Sequence, residues 1–322
     1  MAKTPIQKYE LIPIGGQLPA AIKSAGKPAQ QAWNDFFDGK LANSHTRRAY
    51  ETAIRQFLDW CSKHQLELNE VMAGDVGVYL RDHPGSLPTK KLHLSALRRF
   101  FNLLVERHIC LINPARVAET ERFQVVEGKT PEIKAKQIRK LLDSIDTSTL
   151  VGKRDRAIIY ILIYTAARAG AVAKLKLGDI QGEPGSRKFR FQEKGGKSRE
   201  IPIRHDLELV INEYLQSAEL GNDTKSSPLF RPAVRREDRL AARPMQDNDV
   251  CRMVKRRILA CGLPEDLSAH SFRVATITNL LSQEIPIESV QQLAGHADAR
   301  TTKLYDRSNR KITRNLVERI TF

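Results

Sequence analysis

The chain has 322 residues, with 53 lysines and arginines against 37 aspartates and glutamates, a net charge of +16. At 41% hydrophobic and 28% charged residues it can bury a core, and its length suits two domains better than one. These counts exclude a collagen-like fibre and a disulfide-stapled mini-domain. The longest apolar stretch, Ala157 to Ala167, is about half of what a bilayer span needs, which excludes an integral membrane protein. The charge excess favours a polyanionic partner, nucleic acid ahead of an anionic membrane surface. Cys61, Cys110, Cys251 and Cys261 form no CxxC pair, so no zinc ribbon or other metal site is expected, and reduced, buried thiols fit a cytoplasmic protein. No charged-then-apolar leader opens the chain, which also speaks against secretion.

Residues 1–30 scatter Gly, Pro, Ala and Lys without a sustained period and read as a loose leader, with a short strand or docking segment over Tyr9 to Ile14. Residues 31–118 read as a small all-helical bundle. Ser44 is placed to cap a helix whose inner face carries Tyr50, Ile54, Phe57, Leu58 and Cys61 at spacings of three and four. A shorter helix over Asp75 to Leu80 stops near His83-Pro84-Gly85. A third, over Lys90 to Arg107, turns Leu94, Leu97, Phe101 and Leu104 inward and Lys90, Lys91, Arg98 and Arg99 outward. Pro114 closes the bundle.

The polar stretch 119–131 is the expected linker, and 132–322 the second domain. Helical periods run over Ile133 to Ile145 and Arg154 to Tyr164. Between Arg187 and Ile203 the period falls to two, with Gly195-Gly196 at a tight turn, the pattern of a β-hairpin. Helices resume over Leu207–Ser217, Gln246–Cys261, Ser271–Leu281, Ile287–Leu293 and Thr313–Ile320. The expected fold class is mainly α with one small β-sheet: a helical N-terminal bundle and a mixed α+β second domain.

The last quarter is densest in chemistry. His270 and Arg273 stand three apart, on one face of a helix start, where two cationic groups can grip one phosphate. Gly295 can end a helix and set His296 just past it. Tyr305 follows nine residues later. Nine residues rotate a continuous helix by about 180°, so His296 and Tyr305 share a pocket only if the chain breaks between them, and Asp298 and Thr301 are suitable breakers. Upstream, Arg168 sits among small residues directly after a core helix, and Lys194 and Lys197 flank the hairpin turn. Each feature alone has an ordinary explanation: a surface pair, a C-cap, a packing tyrosine, solvated hairpin charges, an arginine paired with Asp155 or Asp179.

The ordered set resembles the tyrosine recombinase (phage integrase) family, from about Ser44 to Tyr305, and is closest to its simple Xer-like or Cre-like members. The N-terminal bundle with Asn113-Pro114 at its end resembles the family's core-binding domain, and 132–322 its catalytic domain with a C-terminal docking tail. The resemblance implies that Tyr305 attacks a DNA phosphate to give a 3′-phosphotyrosyl link and that Arg168 and Arg273 hold the non-bridging oxygens. Lys194 would protonate the leaving 5′ oxygen, with Lys197 as the alternative. His270 would move the Tyr305 proton, and His296 would donate to the phosphate. It implies a site-specific recombinase that needs no cofactor, metal or ATP. Such an enzyme would be a monomer when free and a tetramer in synapse on double-stranded DNA, acting at the nucleoid with a possible accessory DNA-bending protein or partner recombinase.

The sequence departs from the family at Ala166-Ala167 and Ala171, where Gly-Leu and a glutamate are usual, and at Val274, where histidine is common. These departures bear on the support around Arg168 more than on the chemistry. Arg231, Arg235, Arg236, Arg239 and Arg243, then Arg252, Lys255, Arg256 and Arg257, read as phosphate contacts along a duplex or as a solvated face. A type IB topoisomerase or a DNA-binding protein with a dead site would share many of these features.

Overall fold

The structure is a computed structural model that describes residues 17–41, 43–121, 130–192, 198–234 and 237–305. Tyr9 to Ile14, Lys194, Lys197, Arg235, Arg236 and the expected helix over Thr313–Ile320 lie outside them. The chain divides into two compact units, with the boundary between Gln124 and Val125. No described helix is long and apolar enough to cross a membrane.

The first unit is all helical: α1 (Ala20–Ser24), α2 (Gly26–Asn34), a π-helical turn (Asp35–Gly39), α3 (Ser44–Lys63), α4 (Ala73–Asp82) and α5 (Leu87–Glu106). Its core is aromatic. Trp33 lies 4.6 Å from Phe37 between ring centroids, Phe36 lies 5.3 Å from Phe100, and Phe57 and Phe101 continue the cluster. Residues 20–30 are therefore not a loose leader. Ala21, Ile22 and Ala29 are buried in this core, because small side chains let α1 and α2 approach closely. The cap of α3 is Asn43, not Ser44. Its Oδ1 accepts from the backbone N–H of His45 at 3.0 Å and of Thr46 at 3.1 Å. Arg98 is held against the chain rather than projecting freely outward. Its guanidinium donates to the carbonyls of Ala115 at 3.0 Å and Ala118 at 2.7 Å, and Asn113 Nδ2 donates back to the Arg98 carbonyl at 2.9 Å. That exchange locks the Asn113-Pro114 turn onto α5.

The second unit holds α6 (Ala135–Asp143), α7 (Leu150–Thr165), α8 (Ala169–Ala173), β1 (Ile180–Gln181), β2 (Lys188–Gln192), β3 (Ser198–Pro202), α9 (His205–Ser217), α10 (Asp247–Ala260), α11 (Ala269–Ser282), α12 (Ile287–Ala294) and α13 (Ala299–Lys303). The sheet is antiparallel in the order β1-β2-β3, with Phe189 opposite Ile201 and Phe191 opposite Arg199. Ile158, Ile159, Ile161 and Leu162 of α7 are fully buried, which makes α7 the axis of the unit. Thr276 Oγ1 on α11 donates to the α7 carbonyl of Ile163 at 2.5 Å. Cys61 and Cys110 are buried as expected, but Cys251 is exposed and Cys261 half-buried.

Candidate active site

Three chain breaks deliver the site. The first ends α7. Ala166 adopts a left-handed conformation (φ 49°, ψ 24°), and Arg168 then stands exposed as the residue that starts α8. The second is the start of α11, where Ser268 N–H is taken by Ser271 Oγ at 3.1 Å and His270 and Arg273 emerge on the first turn. The third is the pair of helix ends around residue 295. Gly295 closes α12 with φ 63°, a conformation that glycine enters without a Cβ penalty, and His296 follows. Asp298 then caps α13, accepting from Arg300 N–H at 2.9 Å. Asp298 is the break the nine-residue spacing requires, while Thr301 lies inside α13.

Those breaks bring His270, Arg273, His296 and Tyr305 together. Tyr305 Oη and His270 Nε2 share a hydrogen bond of 3.1 Å. The Tyr305 ring stacks on His296, 5.7 Å between centroids and 13° between planes, and packs with Ala166, Ile277, Val290 and Ala294. Arg273 is 1% exposed and donates to the carbonyls of Ala166 and, at 2.6 Å, Ala294. It therefore fastens the end of α7 to the end of α12. His296 Nδ1 meets Thr302 Oγ1 at 2.9 Å, which fixes the ring.

Two buried polar atoms suit the site to an anion. Arg273 Nε and His296 Nε2 have no hydrogen-bond partner among the described residues. A buried donor without a partner costs about 1–3 kcal/mol, and more when charged, so an anion that accepts from both recovers a real penalty. The electrostatics agree. Burial first, then Arg168, pushes the Arg273 guanidinium below its ordinary pKa. Burial, then Arg273 and Arg168, lowers His296 to about 4. Burial, Arg273 and Arg168 also lower His270. Among the described residues no carboxylate pairs with Arg168 or Arg273. The site is a field of like charge, suited to an oxyanion whose negative charge grows during reaction. No described cluster of His, Cys, Asp or Glu is placed to hold a metal ion.

Sequence reading missed Arg199. It lies on β3, and its charge is among the influences that lower both Arg273 and His296. It shares the inner face of the strand with Ile201, a placement that the strand's own sequence does not mark as functional.

The wider basic set is largely paired. Arg231 is held by Asp223, Arg239 by Glu237 at 2.9 Å, and Arg243 and Arg252 both by Asp249 at 2.9 and 2.8 Å. Arg256 and Arg257 reach Asp155 at 3.2 and 2.8 Å. In the first unit Lys90 donates to the Arg81 carbonyl at 2.8 Å, Lys91 is half-buried, and Arg99 lies 5.8 Å from the Tyr50 ring centroid.

The family model described as the phage integrase family matches residues 131–311, and the phage integrase N-terminal SAM-like domain matches residues 34–108. A tyrosine recombinase XerD from Pseudomonas putida is 27% identical over 271 residues, 83% of this chain and 87% of that one. A tyrosine recombinase XerC from Rhodospirillum centenum is 28% identical over 292 residues, 86% of this chain and 82% of that one. The fold is shared with a XerH site-specific recombinase bound to its palindromic difH substrate after cleavage. That likeness has a TM-score of 0.66 at 20% identity, covering 90% of this chain and 86% of that one. It is also shared with a lambda integrase dimer on a COC′ core site, with a TM-score of 0.64 at 17% identity, covering 88% and 77%.

Proposed function

The chain belongs to the phage integrase family, whose model spans more than half of it, and from that premise we propose that it cuts and rejoins DNA through Tyr305. It is a tyrosine-type site-specific recombinase, like its Xer relatives. The observation that carries the reading is the Tyr305 hydroxyl, 3.1 Å from His270 Nε2 and beside guanidinium and imidazole donors that have no carboxylate partner among the described residues.

The chemistry follows from that arrangement. A phenol has an ordinary pKa of about 10 and is a weak nucleophile until its proton is removed. His270, kept neutral near pH 7 by burial and by the neighbouring arginines, accepts that proton. The Tyr305 oxygen then forms a bond to phosphorus, and the bond from phosphorus to the 5′ oxygen breaks. Arg168 and Arg273 take the charge that builds on the non-bridging oxygens, and His296 donates through Nε2. The leaving 5′ oxygen needs a proton, which we assign to Lys194, with Lys197 across the Gly195-Gly196 turn as the alternative. Both lysines lie outside the described residues. The 3′-phosphotyrosyl link conserves the phosphodiester energy, so a 5′ hydroxyl from another strand reverses the step without ATP. Charge stabilisation comes from arginine and imidazole, so the step proceeds without a divalent cation.

Among the remaining cations, Lys90, Lys91, Arg99, Arg231, Arg239, Arg243, Arg252 and Arg256 are assigned to DNA backbone contacts, with Lys197, Arg235 and Arg236 outside the described residues. We read residues 31–118 as the core-binding domain, 119–131 as the linker and 132–322 as the catalytic domain. The working assembly is a tetramer on two DNA sites, open to an accessory DNA-bending protein or a partner recombinase.

The test is a nicked suicide substrate that traps the covalent intermediate. The parent protein forms a denaturant-resistant adduct that persists in EDTA, and Tyr305→Phe forms none. An adduct that survives in the phenylalanine variant, or that chelation abolishes, overturns the assignment.

A further inference from the structure

Arg199 occupies a place that the six assigned residues leave unexplained. It stands opposite Phe191 across the β2–β3 ladder, and its guanidinium carbon lies 5.3 Å from the Phe191 ring centroid. Phe191 is buried in the core, so the ring is a fixed platform for the cation. Arg199 Nη1 donates to the carbonyl of Thr165 at 3.4 Å. The next carbonyl, Ala166, receives Arg273. Two guanidiniums thus dock on consecutive carbonyls of the left-handed turn that ends α7, one from the sheet and one from α11. Arg168 follows that turn by two residues.

The alternative is an ordinary strand cation resting on an aromatic ring. Its neighbours behave that way: Lys188 and Glu200 pair with each other at 2.5 Å on the exposed side of the sheet. Arg199 instead shares the inner face with Ile201 and reaches the backbone of the active-site turn. Its charge acts on Arg273 and His296, whereas the charges acting on His270 come from Arg273 and Arg168.

We propose that Arg199 is a positioning residue of the phosphate site, clamping the Thr165–Arg168 turn against the β2–β3 hairpin so that Arg168 meets the scissile phosphate. The inference rests on the recombinase reading and adds a residue to it. The planar guanidinium matters because one group must lie over Phe191 while donating sideways to Thr165. A lysine ammonium has no such fork.

The experiment follows single-turnover adduct formation on the nicked substrate for the parent, Arg199→Ala and Arg199→Lys. Arg199→Ala is expected to slow adduct formation about 100-fold while DNA affinity changes by less than about threefold, and Arg199→Lys to stay within about threefold of the alanine variant. NMR titration of the imidazoles supplies a readout that simple packing would not move. Removing the cation lets His296 protonate at higher pH while His270 holds its position. Rates within about twofold of the parent overturn the proposal. So does a slow Arg199→Ala variant whose His296 titration is unchanged. A parent that forms no Tyr305 adduct sinks the recombinase reading instead, and the His296 titration then decides the placement of Arg199 alone.

Discussion

Arg154 and Arg273 are both buried in the second unit, 2% and 1% exposed, yet their surroundings are opposite. Arg154 donates through Nε to Asp155 at 3.0 Å and through Nη1 to the Arg231 carbonyl at 2.9 Å, while Asp155 also receives Arg256 and Arg257. That network contains its own counter-ion. Arg273 has two carbonyls and the Tyr305 side chain as partners but no carboxylate among the described residues, one nitrogen without a partner and Arg168 nearby. Burying a charge without a counter-ion costs several kcal/mol, and binding an anion there recovers part of that cost. The pair shows that the informative arginine is the one the protein leaves uncompensated.

The largest expected effect comes from breaking the second environment. Arg273→Met removes the charge and fills its volume. Adduct formation should fall at least about 1,000-fold, roughly 4 kcal/mol of barrier, while the melting temperature holds or rises. Next comes the first environment. Asp155→Asn leaves Arg154 and Arg257 without their carboxylate and should lower stability by about 3 kcal/mol in urea denaturation, with the rate per folded molecule nearly unchanged. If the two variants exchange phenotypes, the distinction between a closed network and an open socket fails.

Much of this was legible beforehand, for physical reasons. The His270–Arg273 spacing, Gly295 and the break before Tyr305 are local signals, and the structure resolves them as helix start, C-cap and N-cap. Asp155 was legible only as one possible partner of Arg168. Its actual role joins α7 to α10, residues about 100 positions apart, and no local pattern encodes that. Helices α1 and α2 escaped because Ala21, Ala29 and Ala32 bury well without giving a large-apolar period. Arg98 misled because an arginine on the rim of a helix face looks solvated until a distant loop brings it carbonyls. Arg199 was passed over because a strand arginine signals nothing until its cross-strand partner is known.

The same contrast recurs in two histidines. His93 in the first unit and His296 in the second are both lowered from 6.5 to about 4, but by different means. Burial dominates at His93, whose Nδ1 meets Tyr79 Oη at 2.8 Å and whose ring lies 4.4 Å from that of His83. At His296 the arginines add to burial. A histidine whose folded pKa is depressed is neutral in the folded state and charged in the unfolded one between the two values. Stability is therefore complete above about pH 6.5 and is lost as pH falls toward 4. For His93 the loss should be about 2 kcal/mol between about pH 6.5 and 4.5. Both tryptophans, Trp33 and Trp60, belong to the first unit, so tryptophan fluorescence in urea isolates that loss. His93→Gln should flatten it. In the second unit the corresponding signal is kinetic. The acid limb of adduct formation should fall below the usual imidazole range and disappear in His270→Gln.

The smallest effect belongs to the arginines that carry their own counter-ion at the surface. Arg252 is 77% exposed at its side chain and shares Asp249 with Arg243. Exposed pairs of this kind contribute about 0–1 kcal/mol, so Arg252→Ala should leave stability within about 0.5 kcal/mol of the parent. On its proposed assignment to the DNA backbone, Arg252 contributes a single screened charge. Affinity should fall a few-fold, and the slope of log affinity against log salt should flatten by about one. Adduct formation at saturating DNA should not change, because Arg252 is not among the residues assigned to the reacting phosphate. Arg273→Met should do the reverse, leaving the salt slope nearly intact and removing the reaction. If the two variants change salt slope and rate together, arginines that gather the duplex and arginines that work on one phosphate are not separate classes here.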